Sequence, residues 1–535
     1  MRKVLRERRR PTVPGAEGPG HGGVLVARGD RQGHGRHSEV MVVFPGLVLA
    51  MLVAALDQTV VATSLPSITS DLGGLTQLSW VVTAYVLAVS VSTPLYGKLG
   101  DIFGRKRLFQ VALLIFLFGS MLCGTAQSML MLVVFRALQG LGAGGIVVNT
   151  QAMVGDLVPP AERGRYQGVM QSVFALATVF GPLLGGVVAQ GLGWRWVFYV
   201  NAPVCVLALV MVTARFTAPV RERRRPHIDW WGAALLSTGV TALILVTTLG
   251  GNAYRWLSVP VFGLAVAAVV LLAAFILVER RTVEPIVPLR LFRNEVIRVV
   301  TPLAFLVGFT TLGATVFVPL FQQTVDGVSP TMSGLRMAPL WFAWALSSSL
   351  SGRFITRTGK YRRLPITGTA LLVLGMLTLS RLGIADTYAF QAIALAAIGL
   401  GLGMISSVMV LAAQNAADPK DLGVATSTTT FSRTIGGSIG VSVFGAIFAA
   451  SLHQALPDGQ QLDSLTVSAR SAYLTDFESA LHHVFLSGAG LAAVAFVMAL
   501  HVRELALRRR RKGTEEPGTE PGDSMTFGAE EPATE

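Results

Sequence analysis

The sequence predicts an all-α integral membrane fold with 14 spans: two six-helix bundles plus two inserted transmembrane helices. Three observations carry this. Hydrophobic residues make up 52% of the 535, besides 57 glycines, and charged residues only 14%; soluble domains run near ~45–50% apolar with glycine counted and ~25% charged. The charges crowd the ends, with 13 in residues 1–40 and 14 in residues 503–535. The stretch between holds about one per ten positions, too few to solvate a globular surface, which excludes a water-soluble enzyme. The third observation is an internal repeat.

Gly97–Arg107 reads GKLGDIFGRKR, and Gly352–Arg362, 255 positions on, reads GRFITRTGKYR. At that offset Gly168, Gly181 and Gly185 fall on Gly423, Gly436 and Gly440. The runs Gly140, Gly142, Gly144 and Gly399, Gly401, Gly403 match at 259. Two six-helix halves with a substrate site at their interface are a plan of transporters, so the repeat argues for transport.

Each span is an apolar run of about 20 residues, the length that crosses a ~30 Å hydrocarbon core. The first, 41–65, carries Asp57 as its one charge, and 78–97 ends where Lys98 opens a basic loop. Spans 108–126 and 129–154 follow, the latter holding Arg136, then 166–190 and 197–216. The inserted pair is 230–249 and 257–278. The second half supplies 299–321, 331–351, 364–382, 389–414, 423–450 with Arg433, and 484–502. Residues 1–40 read as a disordered basic N-terminal extension and 503–535 as a disordered cytoplasmic tail. Between them lie a first bundle (41–216), a linker with the two extra helices (217–298) and a second bundle (299–502).

Loop charges support the count. With the N-terminus inside, cytoplasmic loops gather Lys98 and Arg105–Arg107, Arg221 and Arg223–Arg225, Arg353 to Arg363, and Arg508–Lys512, while outer loops hold only Arg195, Arg255, Arg381 and Arg470. One span more or fewer would break this positive-inside pattern. The net charge of +14 is therefore a membrane-topology signal and implies no nucleic-acid partner. Cys123 and Cys205 lie in separate apolar runs, so no disulfide framework or zinc site is expected. There is no Walker loop, hence no nucleotide, and no metal or other cofactor is expected.

Four motifs stand out. In the loop after span two, Gly97, Gly100 and Gly104 permit tight turns and close helix approach, and Asp101 is placed to cap a helix or hold the Arg105 guanidinium beside Lys106. The others are Leu56-Asp57-Gln58-Thr59-Val60-Val61 in span one, Arg136-Ala137-Leu138-Gln139-Gly140-Leu141-Gly142 in span four, and Gly181-Pro182-Leu183-Leu184-Gly185-Gly186 in span five. Together, in this order, they closely resemble the signatures of the major facilitator superfamily, and of its 14-span drug:proton antiporters of EmrB/QacA type. The resemblance covers about residues 41–502. Ala62 stands where the first-span motif usually has Asn, and spans ten and thirteen lack the acids that certain members have there.

The resemblance implies a major facilitator fold and a proton-coupled secondary active exporter of lipophilic or cationic drugs and antibiotics. Its partners would be the lipid bilayer, protons and those small substrates; it is no enzyme and has no catalytic residue. It would lie multi-pass in the cytoplasmic membrane of a bacterium, both termini cytoplasmic. Export of one endogenous small molecule, such as a self-made antibiotic, is the alternative, and a non-transporting receptor the third reading.

Asp57 and Arg136 sit at similar depth in one bundle, where a charge is costly unless paired or facing water. The pair reads two ways: a structural ion pair between spans one and four, or a proton-exchanging acid tuned by its arginine. The resemblance favours the second. Gly181, Pro182, Gly185 and Gly186 read either as plain helix packing or as a kinked gate, and the resemblance points to an antiporter motif. Gly97, Asp101, Gly104, Arg105 and Lys106 would form a conformational switch, and Thr59, Gln139 and Arg433 are candidate cavity residues. Most span-thirteen hydroxyls should bond back to their own helix, and Gln151, Gln322 and Gln414, near span ends, should be solvated at the membrane interface.

Overall fold

The computed structural model describes residues 27–74, 77–216, 228–251, 254–256, 258–384, 386–452 and 466–507. All fourteen expected stretches are helical there, and no strand forms among the described residues. The first six helices are α1 (Ala27–Leu72), α2 (Leu78–Phe103), α3 (Arg105–Gly124), α4 (Met129–Leu157), α5 (Arg163–Gly191) and α6 (Trp196–Arg215). Next come α7 (Trp230–Leu249) and α8 (Val259–Glu279). The last six are α9 (Glu295–Thr324), α10 (Ala338–Thr358, after a short helix Pro330–Arg336), α11 (Arg363–Leu379), α12 (Tyr388–Ala416), α13 (Leu422–Ser451) and α14 (Val467–Leu500). Twelve are long and apolar enough to cross a membrane; α11 is too short for that class and α10, rich in serine, falls outside it.

Several boundaries differ from the sequence reading, among them the ends of α2 at Phe103 and α10 at Thr358. Helix α1 starts at Ala27, inside the stretch expected to be disordered, and continues past Pro66 to Leu72; residues 1–26 and 508–535 lie outside the described residues. Helix α14 starts 17 residues earlier than its apolar run, at Val467, where the Thr466 hydroxyl accepts from the Ala469 amide as an N-cap. Hydropathy finds where a helix meets lipid, whereas caps decide where it ends.

Helices α1–α6 pack on one another, with α4 against α2 and α3, and α9–α14 do likewise, with α12 against α10 and α11. The bundles meet along two seams, α5 on α10 and α2 on α13. The repeated glycines explain the pairing. A methyl on Gly97 would fall 2.8 Å from the Gly423 carbonyl oxygen, and one on Gly168 would fall 3.2 Å from the Gly352 Cα. These are the same contact in the two halves, exchanged across the pseudo-twofold axis. Gly181 and Gly185 likewise pack on α1 as Gly436 and Gly440 pack on α9. Close backbone approach of this kind needs small residues. The inserted α7 rests on both α2 and α13, and α8 rests on α7.

Candidate functional site

Asp57 lies on α1 about 22 Å before the helix end at Leu72, taking 1.5 Å per residue. It is 2% exposed, and its partner Arg136 on α4 is 1% exposed. Arg136 Nη1 donates to Asp57 Oδ2 at 2.6 Å and to Gln139 Oε1 at 2.8 Å. The other carboxylate oxygen accepts from Gln139 Nε2 (2.8 Å) and from Asn201 Nδ2 on α6 (2.9 Å). Asn201 also donates to the Ser120 hydroxyl on α3. The guanidinium carbon stands 4.1 Å from the centre of the Tyr85 ring on α2, and the Tyr85 hydroxyl donates to the Ala54 carbonyl. Five helices thus converge on one buried charge pair, which satisfies the condition for holding charge away from water. The sequence singled out Asp57, Arg136 and Gln139; Asn201 and Tyr85 escaped it.

Beside the pair, between the bundles, lies a cavity of about 210 Å³. Gln58 and Tyr85 line it from the first bundle and Trp341, Trp344, Thr430 and Arg433 from the second. Of the three candidate cavity residues, only Arg433 lines it. Thr59 turns to the α1–α5 contact, its hydroxyl 3.4 Å from the Ala177 carbonyl oxygen, and Gln139 is consumed by the charge pair. One step along a helix rotates a side chain by about 100°, so Gln58 faces the cavity where Thr59 does not.

The Gly97–Arg107 segment, read from the sequence as a loop, is the end of α2 and the start of α3 about Gly104, and it joins the bundles. Asp101 accepts from the Gly423 and Val424 amides at 3.1 and 2.9 Å, at the start of α13. A carboxylate there satisfies orphan N–H groups and the positive end of the helix dipole. Arg105 Nη2 donates to Asp101 at 2.7 Å, while its Nη1 reaches Asp156 at 2.6 Å and the Ala152 carbonyl at 3.0 Å. Gly104 adopts φ +93°, the left-handed region that favours glycine. Lys106 takes no part in that junction: it donates to the Thr213 and Phe216 carbonyls at the end of α6, inside its own bundle.

In the α5 motif, Gly181 and Gly185 face Thr59, Val60 and Thr63 of α1, two to six positions beyond Asp57, while nothing lies within 4 Å of a methyl placed on Gly186. The motif therefore braces α1 within its own bundle. The glutamines near the span ends are corrected too. Gln151 and Gln414 are buried, and Gln414 Nε2 donates to the Gln151 carbonyl across the bundle boundary at 3.0 Å; Gln322 is buried against Gln391. Those ends face the opposite bundle or a neighbouring helix, not water. Of the span-thirteen hydroxyls, Thr426, Ser427 and Thr429 bond back to their own helix as expected, whereas Thr430 donates to Gln151 Oε1 and Ser432 to the Thr301 carbonyl on α9.

A sequence profile described as Major Facilitator Superfamily matches residues 47–441. An uncharacterized MFS-type transporter of Mycobacterium tuberculosis is 39% identical over 480 residues, covering 87% of this chain and 70% of its own. Multidrug resistance protein 3 of Bacillus subtilis is 37% identical over 402 residues, covering 75% and 78%. Among solved structures, the human organic anion transporter MFSD10 superposes with a TM-score of 0.61 at 15% identity, covering 86% of this chain and 99% of that one; that likeness concerns the fold alone.

Proposed function

Because the chain belongs to the major facilitator superfamily, we propose that it is a proton-coupled exporter that moves lipophilic small molecules across the cytoplasmic membrane by alternating access between its two bundles, through fourteen spans with both termini inside. The observation that carries this reading is the buried Asp57–Arg136 pair, whose acid directly precedes the cavity residue Gln58 and whose arginine lies against the cavity residue Tyr85. A scaffold needs no acid at that depth, and a buried ion pair adds little net stability over apolar packing.

In this reading the loop end is cytoplasmic, and the closed junction of Asp101 with α13 marks the outward-facing arrangement. A proton entering from outside neutralises Asp57, which frees Arg136 and loosens α1 from α4. The bundles rock, the Asp101 junction parts, and cargo enters between them from the cytoplasm. Cargo seated against Tyr85 presses Arg136 back towards Asp57, the proton leaves inward, and the return stroke carries cargo out. Gly181 and Gly185 keep α1 packed on α5 during the cycle, which limits proton leak. The test is proton movement in everted vesicles under an imposed pH gradient, with a panel of lipophilic compounds and with wild type beside Asp57→Asn. Gradient collapse on addition of compound in wild type alone is expected. Collapse by both proteins would move proton coupling away from Asp57. No response from well-folded wild type would remove the antiport reading.

A further inference from the structure

The cavity between the bundles has a chemistry of its own. Arg433 is the one charged residue along its lining, and no acidic side chain faces it among the described residues. The Arg433 guanidinium has no hydrogen-bond, ion-pair or ring partner among the described residues, whereas the other deep arginine, Arg136, is fully engaged. Asp57, which directly precedes the lining residue Gln58, already accepts from Arg136, Gln139 and Asn201. The lining hydroxyls of Thr93, Thr311, Thr434 and Ser438 spend their protons on carbonyls of their own helices. Trp344, stacked on Trp341 with ring centres 5.6 Å apart, adds a buried indole N–H without an acceptor. Gln58, Ser406 and Thr430 add neutral polar groups, the Thr430 hydroxyl donating to Gln151 Oε1, and the rest of the wall is apolar and aromatic.

An unpaired guanidinium in a low-dielectric pocket repels a cation and is short of an acceptor; an oxyanion supplies what it lacks. Tryptophan faces beside it suit an aromatic ring. From this juxtaposition we infer that the cavity takes amphipathic aromatic anions, with the carboxylate or sulfonate on Arg433 and the ring against Trp341 and Trp344. This rests on the export reading and narrows it: the cargo is anionic, not cationic. It also changes the energetics of a cycle. Exchanging one inward proton for one outward monocation moves no net charge, whereas exchanging it for one outward anion moves two charges in the same sense, so a membrane potential drives the second and not the first.

Calorimetric titration of the purified full-length chain with naphthalene-2-sulfonate, its neutral near-isostere naphthalene-2-sulfonamide, and 2-naphthylmethylammonium tests the site without any appeal to transport. The sulfonate should bind at least about ten-fold more tightly than the sulfonamide, as expected for a charge-assisted bond over a neutral one. Arg433→Gln should erase that difference while leaving sulfonamide binding in place, and Arg433→Lys should retain part of it. Equal binding of sulfonate and sulfonamide by wild type, tighter binding of the ammonium, or a preference that survives in Arg433→Gln overturns the inference; the wild-type comparison decides even if the Gln variant fails to fold. In proteoliposomes with a potassium diffusion potential, sulfonate-driven proton flux should follow the potential. Sulfonate-selective binding without proton flux for any probe upholds the site and removes proton coupling. Flux with the ammonium or sulfonamide but not the sulfonate upholds coupling and removes the site.

Discussion

Replacing Asp101 with asparagine separates the junction between bundles from everything else the residue does. The carboxylate accepts from two α13 amides, Gly423 and Val424, and these bonds cross the boundary between bundles. Its bond with Arg105 lies within the first bundle and persists in either arrangement, and Arg105 also keeps Asp156 and the Ala152 carbonyl. Hydrogen bonds to a charged group contribute ~1.5–3 kcal/mol and neutral ones ~1 kcal/mol. The α13 dipole adds ~0.3–1 kcal/mol for a negative charge at its start. Asparagine offers one neutral acceptor, so the closed junction loses at least about 2 kcal/mol relative to the parted one, which is a population shift of roughly 30-fold or more. Ser427 reports it: it is buried against Gly97 while the junction is closed. A Ser427→Cys reporter in membranes should react with N-ethylmaleimide at least about 30-fold faster in the Asp101→Asn background. The native Cys123 and Cys205 are buried and stay silent. An unchanged or slower rate refutes the assignment of Asp101 as a junction between bundles.

Other outcomes follow from the same contacts. Gly181→Ala should push α1 off α5, because the added methyl would clash with Thr59; overpacking of this kind costs ~1–3 kcal/mol. It should lower Tm and open a proton leak measurable in vesicles without cargo, while Gly186→Ala, which meets nothing, should leave both unchanged. Asn201→Ala removes one of the donors to Asp57 and the amide that donates to the Ser120 hydroxyl; losing a bond to a buried charge costs ~1.5–3 kcal/mol. A Tm shift no larger than that of an exposed substitution would show that Asn201 does not hold the carboxylate.

How much was legible in the sequence depends on what each feature must declare. Membrane helices declare themselves by an unbroken apolar run, so every expected stretch proved helical, and a lone acid or arginine within such a run declares itself by its cost. Asp57 and Arg136 were readable for that reason. Gln139 was nearly so, since three positions after Arg136 it shares a helical face with it; assigning it to the cavity ignored that spacing. Asn201 was hidden because a neutral amide near the start of an apolar run looks like a solvated end, and only the approach of α6 to α1 turns it inward. Gln151 and Gln414 misled for the same reason in reverse. They lie at span ends, but the bundle seam, not water, meets them there. Helix ends were the least legible, because Thr466 caps α14 on polar chemistry that hydropathy does not weigh.

The inserted pair gains a role from where it sits. Helix α7 lies over the α2–α13 seam, so any rocking of the bundles must slide α7 along one of those helices. Against α2 its contacts are apolar: Leu236, Val240 and Ile244 cluster with Leu87, Val91 and Leu95. Against α13 it is tied by the Ser442 hydroxyl, which donates to the Thr247 carbonyl at 2.8 Å. Apolar faces can shift register without stranding a polar group, whereas parting that hydrogen bond within lipid takes the side-chain donor from the Thr247 carbonyl and leaves the Ser442 hydroxyl only the longer bond to the Ser438 carbonyl of its own helix. Helix α7 should therefore travel with α13 and glide over α2, sealing that seam throughout the cycle. Linking Thr247→Cys to Ser442→Cys with a short bifunctional maleimide should leave cargo-driven proton exchange intact. If the link abolishes exchange in a protein that still binds cargo, with the singly modified variants still active, then α7 moves with the first bundle and the hydrogen bond to α13 breaks in every cycle.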